Sequence, residues 1–200
     1  MGNAVKVTLS KNANKVIAIG ASTGGTEAIQ AVVQNMPPNT PGMVIVQHMP
    51  SGFTKMFANH LNRVCKMEAR EAVDGDRLTQ GLILIAAGGY HMRLKKDATG
   101  YYVTSQPGDK VSGYCPSADV LFESVATVAK ANAIGVILSG MGVDGAKGML
   151  KMRQAGAFTI GQDKDTSVVY GMPLAAFKMG AVVTQAPLQN IMGVLMGKLI

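Results

Sequence analysis

Residues 16–25 read VIAIGASTGG. A β-branched apolar run ending in glycine predicts a buried strand over Lys15–Gly20. A small polar turn follows, with Ser22 between Ala21 and Thr23 and glycines on both sides. From Thr26 to Asn35, and on to Met36, the apolar residues Ala28, Ile29, Val32 and Val33 keep a helical spacing, and Pro37-Pro38 stops it. The unit is strand, turn, helix. It recurs at Met43–Gln47, which ends at His48 before a helix at about Thr54–Val64. It recurs again at Ile134–Leu138, followed by Gly140-Met141-Gly142 and a helix over Gly145–Ala155 with Gly156 as its C-cap. Strands alternating with helices predict an α/β fold: a mostly parallel, doubly wound three-layer sheet. In such sheets ligands bind beyond the carboxyl ends of the strands, where the βα loops gather.

The remaining segments fit one domain over residues 15–200, preceded by a polar linker or tail over 1–14. Met67–Ala72, Leu82–Ala86, Tyr90–Leu94 and Tyr101–Ser105 read as short strands. The turns Asp74-Gly75, Gly88-Gly89 and Thr99-Gly100 between them predict a β-hairpin region. A helix is expected from Pro116-Ser117 to about Ala131. A strand at Phe158–Gly161, a helix from Pro173, a strand at Ala181–Val183 and a helix from Leu188 complete the pattern.

Composition narrows the function. The chain has 200 residues, 48% apolar and 16% charged, enough for a sizeable core and unlike a disordered chain. No apolar run reaches the ~20 residues of a membrane span, and the first fifteen residues lack the apolar centre of a secretory signal. Lys6 stands where a myristoylation motif needs Ser or Thr. A net charge of +7 is spread over basic residues that stand singly apart from the pair Lys95-Lys96, without Trp or interleaved aromatics. Nucleic acid is therefore not the expected partner; an acidic protein surface or a solvated exterior is. Cys65 and Cys115 form no CxxC pair and suit a reducing, cytoplasmic compartment. His48, His60 and His91 lack metal-type spacing, so neither metal nor cofactor is expected.

Three residues share the carboxyl rim. Ser22 lies just past the first strand, His48 at the end of the second, and Asp144 in the loop after Ile134–Leu138. Together they could supply a nucleophile, a general base and the group that orients that base. Each also has a structural reading: Ser22 as a helix N-cap, His48 as a core histidine, Asp144 as an N-cap or turn residue. A phosphate cradle fits poorly, because Gly20, Gly24 and Gly25 do not make GxGxxG and no P-loop lysine follows. Residues 20–24 satisfy GxSxG, but the order Ser, His, Asp is not that of α/β-hydrolases.

Longer motifs carry a family resemblance. GASTGG at 20–25, VQHMP at 46–50, PSADVLF at 116–122, LSGMGVDG at 138–145, QD at 162–163 and SVVYGMP at 167–173 resemble the catalytic domain of chemotaxis protein-glutamate methylesterases (CheB). The separations of 26 residues from Ser22 to His48 and 96 from His48 to Asp144 fit as well. The resemblance spans about Val16 to Leu199. It implies hydrolysis of γ-glutamyl methyl esters on chemoreceptor signalling helices, and in many members deamidation of receptor glutamines. It further implies Ser22 as nucleophile, His48 as base then acid, Asp144 as orienting carboxylate, and the Met141 N–H as oxyanion donor with Thr23 as a second contributor. Members commonly carry an N-terminal receiver domain. Only about fourteen residues precede the first strand here, so this sequence is expected to lack that regulator and to be active without a phosphoryl signal. The segment Ser112-Gly113-Tyr114-Cys115 departs from the basic or histidine residues often found there.

A base must be neutral to accept a proton, and an unperturbed imidazole has a pKa of about 6.5. The rate of ester hydrolysis is therefore expected to rise between about pH 6 and about pH 8; a flat profile would count against His48 as the base.

Overall fold

The computed structural model describes residues 14–199; nearly all of the expected tail, residues 1–13, and residue 200 lie outside it. Seven strands form one sheet: β1 (Val16–Ala21), β2 (Met43–Gln47), β3 (Glu68–Glu71), β4 (Leu82–Ile85), β7 (Ala133–Ile137), β8 (Phe158–Gln162) and β9 (Thr184–Ala186). Their order is β3-β4-β2-β1-β7-β8-β9, and every pairing is parallel. The intervening β5 (Tyr90–Asp97) and β6 (Gly100–Pro107) make a separate antiparallel hairpin.

Parallel strands covered on both faces must be apolar on both faces. In β1, Val16 and Ala18 enter one core while Ile17, Ile19 and Ala21 enter the other. The first core packs against α3 (Ala118–Val128), α4 (Ala146–Gln154), α5 (Met172–Lys178) and the hairpin; the second packs against α1 (Gly25–Val33), α2 (Phe53–Val64) and α6 (Leu188–Leu199). The three-layer α/β expectation holds. Among the described residues no helix is long and apolar enough to cross a membrane.

Two expectations need correction. The hairpin region is only β5 and β6, since β3 and β4 extend the main sheet in parallel. Residues 82–85, LILI, are buried throughout, which suits an interior strand rather than half of an exposed hairpin. The charged stretch EARE of β3 suits the sheet edge. The last strand is Thr184–Ala186, not Ala181–Val183. The amide of Ala181 bonds back to Ala176 at the end of α5, and that of Val183 reaches Thr159, so this segment closes a helix before the ladder begins.

The chain runs from β1 to β2 in one direction and later returns to β7 on the other side of β1. That reversal opens a crevice above the ends of β1, β2 and β7, the ligand position of doubly wound sheets. Gly148 sets the spacing beneath it: a Cβ there would lie 2.7 Å from the Asp119 carbonyl oxygen and 2.8 Å from Phe122 Cβ. Helices α3 and α4 touch because this residue has no side chain. Gly148→Leu is expected to overpack that contact by about 1–3 kcal/mol, lowering Tm by roughly 2–12 °C in a thermal melt.

Candidate active site

The corner after β1 is held from three sides. The Ser22 N–H donates to the Ser139 carbonyl (3.0 Å), and the Ser22 carbonyl accepts from the Gly25 N–H (2.8 Å) and from Gln47 Nε2 (2.8 Å). Ser22 does not cap α1. The N-cap is Gly24, at φ 74°, with no side-chain hydrogen bond. A side chain on Gly25 would overlap Gln47 Oε1 and come within 2.7 Å of Ala21 Cβ. The glycines thus let backbone and Gln47 close around the turn and leave the serine hydroxyl outside the capping role.

Sheet register brings the histidine alongside. Ala21 pairs with Gln47, so Ser22 and His48 are the next residues on neighbouring strands, whose spacing is about 4.8 Å. The His48 N–H donates to the Ala21 carbonyl at 3.1 Å. Ser22, Thr23 and His48 line two cavities of about 400 and 420 Å³. His48 Nε2 lies 2.7 Å from Asp144 Oδ2, and Nδ1 is buried with no hydrogen-bond partner among the described residues. With the Nε2 proton donated to Asp144, Nδ1 keeps a lone pair free to receive another proton. His60 and His91 are engaged elsewhere, with Gln30 Oε1 and the Asp109 carbonyl, both at 2.8 Å.

Asp144 is fully buried and does not cap its own helix α4, whose N-cap is Gly145. It sits at the N-terminus of α3 instead. Ser117 Oγ donates to Oδ1 at 2.7 Å, the Ala118 N–H to Oδ2 at 2.7 Å and the Asp119 N–H to Oδ1 at 3.1 Å. Burial raises a carboxyl pKa, but the hydrogen bonds from His48, Ser117 and the two amides outweigh it and hold Asp144 below its usual value. The positive end of the helix dipole acts in the same direction. Asp119 shifts the other way: burial pushes its carboxyl up, and the neighbouring charge of Asp144 adds to that, against hydrogen bonds from the Gly148 N–H and Ser112 Oγ.

The two expected oxyanion donors stand on the same rim. A Cβ on Gly140 would lie 2.8 Å from Ser22 Cβ, which puts Met141 one residue from contact with the serine. The N–H groups of Met141 and Thr23 have no acceptor among the described residues. Thr23 lines both cavities and Met141 neither. Three participants were missed from the sequence: Gln47, which holds the Ser22 carbonyl; Ser117, which caps α3 and also donates to Asp144; and Tyr114, whose ring stacks on His48. Ser117 lay inside the motif PSADVLF and Tyr114 inside the divergent segment, so both stretches carried a signal without its meaning. Among the described residues no group of three or more His, Cys, Asp or Glu side chains could hold a metal ion.

A carboxyl whose folded pKa is raised binds more protons folded than unfolded, so the fold loses stability as pH rises above the unfolded value of about 3.9. Asp119→Asn removes that loss. Urea unfolding should therefore find the stability of Asp119→Asn, relative to the parent, greater at about pH 7 than at about pH 4; an equal difference at both would contradict the raised carboxyl.

A model of the CheB methylesterase family matches residues 17–195. A protein-glutamate methylesterase/protein-glutamine glutaminase 2 of Syntrophomonas wolfei is 57% identical over 185 residues, which cover 92% of this chain and 54% of that protein. A protein-glutamate methylesterase/protein-glutamine glutaminase of Sulfurimonas denitrificans is 53% identical over 184 residues, 92% of this chain and 52% of that protein. The chain thus spans about half the length of the curated relatives it matches. The crystal structure of the Thermotoga maritima CheB methylesterase catalytic domain matches with a TM-score of 0.89 and 36% identity, covering 92% of this chain and 98% of that one. A fold, a site and a family match that coincide over nearly the whole chain lead to one conclusion: the chain belongs to the CheB methylesterase family.

Proposed function

We propose that this chain is the catalytic part of a serine esterase that hydrolyses γ-glutamyl methyl esters on chemoreceptor signalling helices, releasing methanol. The observation that carries the reading is the buried 2.7 Å pair of His48 and Asp144 beside Ser22 at the wall of an open cavity. A serine hydroxyl is a weak nucleophile and needs an adjacent base. His48 accepts the Ser22 proton at Nδ1 as Oγ attacks the ester carbonyl. Asp144 stabilises the imidazolium that forms, and the Met141 and Thr23 amides receive the oxyanion of the tetrahedral intermediate. Collapse breaks the bond to methoxide, which leaves as methanol with the His48 proton. Water then attacks the acyl-enzyme, giving one proton to His48, and Ser22 leaves with that proton. The net change is ester plus water to glutamate, methanol and a proton. A glutamine side chain can enter the same cycle, its amide nitrogen leaving as ammonia with the His48 proton in place of methanol, and the names of the relatives include both activities.

The substrate and its setting belong to the same proposal. Receptor signalling helices present glutamyl side chains to the cytoplasm, and the unpaired Cys65 and Cys115 suit that reducing compartment. A receiver domain is the further partner the reading implies, since the relatives are about twice as long as the matched region.

The deciding experiment measures methanol release from receptor fragments carrying methylated glutamates. The parent chain should release methanol, and Ser22→Ala should lower the rate by at least about a thousandfold. A folded parent that releases none overturns the reading, and a Ser22→Ala variant that keeps the rate removes Ser22 as nucleophile.

A further inference from the structure

The His48–Asp144 hydrogen bond leaves one degree of freedom poorly controlled. Nε2 lies on the far side of the imidazole from Cβ, so a bond there tolerates rotation of the ring about Cβ–Cγ, a torsion with broad intrinsic preferences. Nδ1, next to Cγ, swings with that rotation. It is also the atom left without a partner. Something else must set the ring plane.

The Tyr114 ring lies on the face of His48 with centroids 3.6 Å apart and planes within 8°. Tyr114 is itself fixed by its loop. Val111 and Tyr114 exchange backbone hydrogen bonds of 3.0 Å in both directions, with Ser112 at φ 53° and Gly113 at φ 89° between them. Positive φ at both central residues is the pattern of a type I′ turn. Ser112 Oγ donates to Asp119 Oδ2 at 3.2 Å, tying the turn to the helix N-terminus that cradles Asp144. The Tyr114 hydroxyl lies beside Gly142, where a Cβ would be 3.9 Å from it. The ring therefore spans from the histidine to the loop that carries Met141.

We infer that Tyr114 is a positioning residue: its ring fixes the plane of His48, and with it the direction of Nδ1, and offers a π face to the imidazolium formed during turnover. The inference rests on the proposed serine-esterase reading. Two parallel rings in contact resist rotation of either, and an aromatic face attracts a cation placed over it. The ring also covers one side of His48 against water. None of this needs the phenol oxygen, so phenylalanine should serve and an aliphatic side chain of similar bulk should not.

The test compares the parent with Tyr114→Phe and Tyr114→Leu using a small alkyl fluorophosphonate, a probe that reacts with an activated serine whatever the natural ester. Ser22 Oγ bonds to phosphorus, the P–F bond breaks, fluoride leaves and the hydroxyl proton passes to His48. Misaligning the base should slow this step roughly 10–100-fold in Tyr114→Leu, while Tyr114→Phe stays within about threefold of the parent. Proton NMR of the His48 ring, assigned by its loss in His48→Gln, reads the stacking directly without activity. The resonances should lie upfield in the parent and Tyr114→Phe and move downfield in Tyr114→Leu. A Tyr114→Leu variant that reacts at the parent rate, a Tyr114→Phe variant that falls as far as Tyr114→Leu, or a parent without the upfield shift would each overturn the inference. A parent that does not react at all would sink the nucleophile reading and this inference with it; a parent and Tyr114→Leu that react equally would sink this inference alone.

Discussion

A carboxylate buried without access to water has to be repaid in hydrogen bonds, and the carboxyl rim of this sheet is arranged around that requirement. Asp144 is fully buried, and removing such a charge from water costs several kcal/mol even after relaxation. Four donors answer it: His48, Ser117 and the amides of Ala118 and Asp119. Both amides are free donors only because α3 begins there, and Ser117 is both the cap that starts α3 and a donor to the carboxylate. The start of one helix, the loop after β7 and the end of β2 are thereby locked to a single group.

The locking explains why a parallel sheet suits this arrangement of side chains. Ser22 and His48 need no special loop to stand side by side, since they follow directly on two registered strands. Asp144 comes from a third strand end and must cross to reach the histidine, so it requires a fixed anchor, which α3 provides. The close contact of α4 with α3 at Gly148 brings the two helices near enough for Asp119 to accept the Gly148 amide as well. Core packing below the rim and hydrogen bonding on it are one connected structure.

The strand–turn–helix units at residues 16–36, 43–64 and 134–155 were legible because both periodicity and punctuation were strong. Their rim residues could be named from the position of the strand ends. The reading was weaker wherever burial decided the outcome. LILI at 82–85 looks the same as half of a hairpin or an interior parallel strand until its neighbours are known. Ser22 and Asp144 each had a capping alternative that local sequence could not remove. The structure removes both, because glycines occupy the N-cap positions of α1 and α4.

By itself the sequence determined the alternation of strands and helices, the three rim positions and, through its long motifs, the family they resemble. These follow from short-range physics: hydrophobic period, turn chemistry and the spacing of residues along one chain. The tertiary structure alone decided which side chains touch. That Asp144 serves a helix 26 residues before it in sequence, that Gln47 braces the serine turn, and that Tyr114 lies flat on His48 depend on strand order and loop return. Those contacts join residues distant in sequence, and only the packing of helices onto a sheet of defined order brings them within hydrogen-bonding or stacking distance.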